Sequence, residues 1–209
     1  LRRREAVIHA DLHVHTNYSS DSSINPKTLV EQLRSHPTIR AIAITDHDEI
    51  EGYFKTQELA APYEDVLVIP GMEITTPEGD IIVLGVAELP PKPWNVRDIV
   101  DFSKERGGVV IVAHPYREYG LGNLVMVKNY PVDAIEVMNG GTEAKLNRRA
   151  ENLAEEMGLP GVAGSDAHKI EDLWTAYTEI EASLNLQQIL KAVRKGLVKP
   201  ISARRSIHF

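Results

Sequence analysis

Val109-Val110-Ile111-Val112-Ala113-His114-Pro115 is an unbroken apolar run, mostly β-branched, that ends in an imidazole and a proline. β-Branched residues suit strands. A strand without polar alternation is buried on both faces, as in parallel sheets covered by helices. Gly107-Gly108 precedes it and ends a helix that Asn95 caps and that runs to Arg106. The same alternation extends both ways. Towards the amino end, strands are predicted at Val7–Val14, Ile39–Ile44, Val66–Ile69 and Ile81–Val86, with Gly71 and Gly79 as breakers, and a helix from Pro26, capped by Asn25, to about Ser35. Towards the carboxyl end come strands at Ala134–Met138, Gly161–Ala163 and Thr178–Ile180. Helices are predicted from Thr142 to Gly158 and over Asn185–Lys195. Alternating strands and helices with apolar strands argue for a parallel α/β fold, closed or open. The whole chain, 1–209, reads as a single domain.

His114 is not alone in its position. His15, His47, Glu73, Glu136 and Asp166 also stand at or just beyond the carboxyl ends of predicted strands. That is the end where parallel α/β folds gather their chemistry. In Asp11-Leu12-His13-Val14-His15, alternate residues share a face, which pairs His13 with His15. Gly164-Ser165-Asp166-Ala167-His168 pairs a carboxylate with an imidazole in the same way. Each residue also has a plainer reading: Asp46 as a helix cap, Glu136 as the partner of a buried arginine, His114 as a satisfied core histidine. Their joint occurrence at one end points to metal binding. His9, His36 and His208 fall outside the pattern. Imidazole and carboxylate donors without sulfur suit Zn²⁺, Mn²⁺ or Fe²⁺. So many donors imply two or three divalent ions.

The composition bounds the rest. Of 209 residues, 43% are hydrophobic and 25% charged, and the net charge is −7. An acidic balance disfavours long nucleic acids, which need a broad basic field. The absence of cysteine excludes disulfides, thiolate metal sites and cysteine nucleophiles. No apolar run is long enough to span a bilayer, and a cytoplasmic setting is expected.

The motifs Asp11-Leu12-His13-Val14-His15-Thr16 with Tyr18-Ser19-Ser20-Asp21, Thr45-Asp46-His47, Gly71-Met72-Glu73, His114-Pro115, Ile135-Glu136 and Gly164-Ser165-Asp166-Ala167-His168 resemble, in order, those of the PHP (polymerase and histidinol phosphatase) superfamily. The resemblance implies a distorted (β/α)7 barrel with up to three metals at the strand ends. It implies that His13, His15, Glu73 and Asp166 hold one ion. Glu73 then bridges to a second held with His114 and Glu136, and Asp21, His47 and His168 hold a third. Two departures matter. Where relatives often carry a histidine after the strand-end glutamate, this chain has Asp80, which bears on the second metal or the substrate contact. Some branches of the family use histidine where this chain has Glu136, with Asn139 nearby.

The expected activity is hydrolysis of phosphate monoesters, on a nucleotide or other small phosphorylated metabolite, by a metal-bridging hydroxide. Glu73, Asp166 and His168 are the expected catalytic residues. Arg117 and Arg148 are the expected substrate contacts, and Asp11 and Asp46 are expected to orient imidazoles. The loop from Pro115 to Tyr130, with Gly120 and Gly122, reads as a lid. Two other readings stand beside this one: an exonuclease trimming short RNA or DNA oligonucleotides, and a metal-binding scaffold without turnover.

Overall fold

Asn25 accepts the backbone N–H of Lys27 at 2.9 Å and opens the proline-first helix α1, Pro26–Ser35. It lies between strands β1 (Val7–Val14) and β2 (Ile39–Ile44). The computed structural model describes residues 6–121 and 128–203. After β2 come α2 (Glu51–Ala60), β3 (Leu67–Thr76), β4 (Gly79–Leu84), α3 (Val96–Glu105) and β5 (Val109–Val112). β6 (Ala134–Asn139), α4 (Ala144–Met157), β7 (Gly161–Gly164), β8 (Ala176–Glu181), α5 (Leu186–Arg194) and β9 (Val198–Ser202) complete the order.

The strands form one sheet in the order β7-β6-β5-β4-β3-β2-β1-β8-β9. It bends into a nearly closed barrel, because the segment after β7 returns to β1. Asp166 donates its backbone N–H to His13 O at 2.8 Å, and His15 donates to Ala167 O at 3.0 Å. One edge of β1 therefore serves two partners. Its first half, Val7 to Ala10, pairs antiparallel with β8, and its end pairs with residues 166–167. Seven strands make the barrel, as the resemblance implied, and β8 and β9 extend it beside β1.

The sheet is not parallel throughout. β3 runs through Gly71, expected as a breaker, and turns at Pro77-Glu78 into β4, which is antiparallel to both β3 and β5. The turn joins the strands directly, so no helix separates them. Among the described residues, α2, β9 and a short 3-10 turn at Ile170–Asp172 were not foreseen. α2 starts after Ile50 without a side-chain cap and buries the small residues Gly52, Thr56 and Ala60. β9 is mostly half-exposed.

The core is layered. Inside the barrel, Ala10, Leu12, Ala41, Ala43, Ile69 and Ile111 belong to one buried cluster with residues from β4, β6 and β7. Ile189, Leu190 and Val193 of α5 join this cluster and stopper the end remote from the strand-end histidines. Gly85 is required there: a Cβ on it would stand 2.4 Å from Leu190 Cδ1. Outside, α1 and α2 cover β1 to β3, and α3 and α4 cover β3 to β6. Among the described residues no helix is long and apolar enough to cross a membrane.

Candidate metal centre

Backbone irregularities aim the site. Between Asp11 and Val14, β1 places three residues against two of β2. Leu12 consequently joins the inner cluster and Val14 the outer layer, so strict alternation fails here. β6 shows the same shift between Glu136 and Met138. Bulges of this kind re-aim side chains beside sites. His114 and Asp166 take left-handed backbone angles, with φ of +23° and +54°. Non-glycine residues hold such angles only where the surroundings over-determine them.

Four buried side chains converge: His13, His15, Glu73 and Asp166. His13 Nε2 lies 3.0 Å from His15 Nε2, 3.1 Å from Glu73 Oε2 and 3.4 Å from Asp166 Oδ1. His15 Nε2 lies 3.2 Å from both carboxylates. Donors placed tetrahedrally at about 2.0–2.1 Å from one ion stand about 3.3–3.4 Å apart. The observed spacings match that figure closely, so the four atoms fit a single divalent cation. The two imidazole nitrogens face each other at 3.0 Å, as two ligands of one ion do.

Glu73 reaches two ways. Its Oε2 faces the four-atom cluster and His47 Nδ1, at 3.4 Å, while its Oε1 lies 2.8 Å from His114 Nε2. Asp80 joins Glu73 and His114 in a second donor group. A third group consists of His15, His47 and His168, with Asp21 Oδ2 3.2 Å from His168 Nε2 and 3.5 Å from His47 Nε2. Of the nine residues expected as ligands, eight are brought together in this way. Glu136 stands behind them. Its Oε1 is 3.0 Å from His13 Nδ1, and its Oε2 accepts the backbone N–H of His114 at 2.9 Å and the Asn139 amide at 3.0 Å. Both oxygens are occupied, and the carboxylate stands beside the β6 register shift, against His13.

Burial would push His13 down, but Asp166, Glu136 and Glu73 around it hold it well above the usual histidine range. His15 is likewise raised to about 9, by hydrogen bonds to Asp166 and Glu73 that outweigh burial. The carboxyls of Glu73 and Asp166 resist the upward push of burial and are held below their ordinary range, His13 contributing most in both. Burial raises Asp80 to about 6, with Glu73 adding to it. The site stores protons on imidazoles that an ion would displace.

Residues 11–131 match the PHP domain family, and residues 144–198 match a family described as PHP-associated. The chain belongs to the PHP domain family. An uncharacterised protein of Methanocaldococcus jannaschii is 34% identical to it over 142 residues, 62% of this chain and 81% of that protein. Among solved structures, a two-domain protein containing a predicted PHP-like metal-dependent phosphoesterase from Bacteroides vulgatus superposes with a TM-score of 0.78 at 18% identity. The match covers 94% of this chain and 65% of that one, so this chain spans less than two thirds of that protein's length. PsfC from Pseudomonas syringae superposes with a TM-score of 0.71 at 19% identity, covering 95% and 92%.

Around the PHP donor groups, the remaining expected residues separate. Arg117 hydrogen-bonds Asp166 Oδ2 and lines a pocket of about 190 Å³ with Gly140, Gly141 and His168. Arg148 is not in that pocket. It lines a neighbouring cleft of about 360 Å³ with Glu151, Thr175 and Ser202, because the start of α4 faces β8 and β9. Asp11 accepts the backbone N–H groups of His13 and Ser165, at 3.3 and 2.9 Å, and so ties β1 to β7 rather than touching an imidazole. Asp46 reaches His15 only through Ser19. Ser19 Oγ donates to Asp46 Oδ1 at 2.9 Å and lies 3.2 Å from His15 Nδ1. Gly120 is held in place: it donates to Arg117 O, and a Cβ there would stand 2.5 Å from Pro115 O. Gly122 lies outside the described residues. Ser19 escaped sequence reasoning, and Asp80 was noticed only as a departure from the family pattern and not as a donor. Ser19 lies in a polar loop without periodicity, and Asp80 begins a strand instead of ending one.

Proposed function

We propose that this PHP chain hydrolyses phosphate monoesters of small phosphorylated molecules, nucleotides among them, with two or three divalent cations of the Zn²⁺, Mn²⁺ or Fe²⁺ kind. The observation that carries this reading is the set of four buried donor atoms of His13, His15, Glu73 and Asp166, spaced for one ion. The predicted PHP-like metal-dependent phosphoesterase of Bacteroides vulgatus, which shares the fold, agrees with it. Divalent cations bound there supply Lewis acidity and an acidified water, the chemistry that phosphate ester hydrolysis needs.

The chain's own residues do the rest. Glu136 accepts a hydrogen bond from His13 Nδ1–H and so leaves the lone pair of Nε2 for a cation. Glu73 serves two clusters with its two oxygens. Arg117, beside Asp166 at the pocket, is the side-chain cation for the phosphoryl oxygens. Asp166 and His168 line the same pocket, and we assign them the proton exchange with the leaving oxygen. Tyr119 is 70% exposed on the loop after Arg117 and offers a free aromatic face for a base. Both matched segments work as one unit in this reading.

The test is a hydrolysis screen of phosphorylated metabolites and nucleotides with Mn²⁺, run beside His13→Ala. Release of inorganic phosphate by the wild-type protein, falling to the buffer level in the variant, is the expected result. Equal turnover by the variant removes the proposal.

A further inference from the structure

The second donor group contains a residue that the strand-end pattern does not supply. In the β3–β4 hairpin, Thr75 stands opposite Asp80 and Glu73 opposite Ile82. Cross-strand partners share a face, as do residues two apart. Ile82 belongs to the cluster inside the barrel. Asp80 therefore points inward, diagonal to Glu73, at the rim where the histidines gather. One oxygen of Asp80, one of Glu73 and a ring nitrogen of His114 lie within 4.8 Å of one another.

Asp80 is only 6% exposed, yet its Oδ1 has no hydrogen-bond partner among the described residues, and neither has His114 Nδ1. Buried carboxylate oxygens are costly when left unpaired and are rarely left so. Here the unpaired oxygen sits beside a second carboxylate, which makes its position worse. A cation among the three side chains gives the Asp80 oxygen a partner and offsets the repulsion between the two carboxylates.

We propose that Asp80 is the third donor, with Glu73 and His114, for a second cation, and that this set shifts that position towards Mn²⁺ or Fe²⁺ relative to Zn²⁺. The inference rests on the metal-dependent reading given above. The four-residue cluster offers two imidazoles and two carboxylates, whereas this group offers one imidazole and two carboxylates. Oxygen-rich sets favour harder ions, and imidazole suits Zn²⁺. A histidine at position 80, expected from the family resemblance, would balance the set differently.

The experiment compares the wild-type protein with Asp80→Asn, Asp80→His and His13→Ala after equilibrium dialysis against Mn²⁺ or Zn²⁺. Metal per chain is counted by plasma mass spectrometry, and affinity is measured by calorimetry. Asp80→Asn is expected to weaken one Mn²⁺ equivalent on the order of tenfold or more, with the others unchanged. Asp80→His is expected to raise the Zn²⁺-to-Mn²⁺ affinity ratio of that equivalent. Wild-type Mn²⁺ stoichiometry and affinity in Asp80→Asn would overturn the proposal. If Asp80→Asn does not fold, Asp80→His decides alone, and an unchanged ratio overturns it. Failure of the wild-type protein to take up any divalent cation would sink the underlying reading as well. Loss of metal in His13→Ala with no change at Asp80 would sink this inference only.

Discussion

Glu136 is buried with a hydrogen bond on each oxygen, and the partner that matters is His13 Nδ1. Its position behind the ring gives a prediction that separates orienting from ligating. Glu136→Gln keeps an oxygen to accept from Nδ1 but loses the negative charge that makes the imidazole a strong donor. Divalent-metal affinity is expected to fall about 10–100-fold while every equivalent still binds. A competitive chelator titration reads this directly, and loss of a whole equivalent would mean that Glu136 is itself a ligand. At this scale the sequence was readable where a residue ends an apolar strand. His15, His47, His114 and Asp166 stood out because polar side chains do not otherwise interrupt such runs. Glu136 stood out equally, but nothing in spacing tells a group in contact with an ion from one a hydrogen bond behind it. The register shift beside Glu136 belongs to the backbone geometry of β6, and such a shift leaves no mark on composition.

The contact of β7 with β1 is the element on which the cluster depends, and Gly164 permits it. A Cβ at that position would stand 2.4 Å from His13 Cβ and 2.7 Å from the His13 backbone nitrogen. Backbone cannot yield as a flexible side chain does. Gly164→Ala is therefore expected to destabilise the fold by roughly 1–3 kcal/mol and to separate Asp166 from His13. Thermal melting would show the first effect and metal stoichiometry the second. An unchanged melting temperature with full metal uptake would contradict this account. The helices with caps, Asn25 for α1 and Asn95 for α3, were legible from those caps. α2 was not, because it has neither a capping side chain nor a broad apolar stripe. The antiparallel β4 was hidden for another reason: its apolar residues read as any buried strand, and direction is set by the short turn before it. That reversal brings the amino end of β4, and Asp80 with it, to the rim that parallel strands reach with their carboxyl ends.

Across the whole molecule, the protonation of the rim couples to stability. In the metal-free protein, His15 is raised to about 9, Asp11 to about 7 by burial, and Asp80 to about 6. Each favours its protonated form in the fold. Their contribution is complete below the unfolded values, about 4 for the carboxyls and about 6.5 for the imidazole. It is lost as pH rises through the folded values. Glu73 and Asp166, held low, act in the opposite sense and withdraw their stabilisation only on acidification below about pH 4. The chelated protein is expected to melt progressively lower from about pH 5 to 9, and added Mn²⁺ is expected to restore most of the loss at the alkaline end. Calorimetric scans with and without chelator across that range would check this, and a chelator effect larger at pH 5 than at pH 8 would refute it. The matched families meet at the same rim: the PHP segment ends at residue 131, while Asp166 and His168 lie within 144–198. Neither stretch completes the cluster by itself. The α5 stopper at the opposite end has a consequence for traffic. On the proposed reading, and among the described residues, substrate and product share the mouth at the histidine end. Inorganic phosphate should then compete with substrate at that threshold.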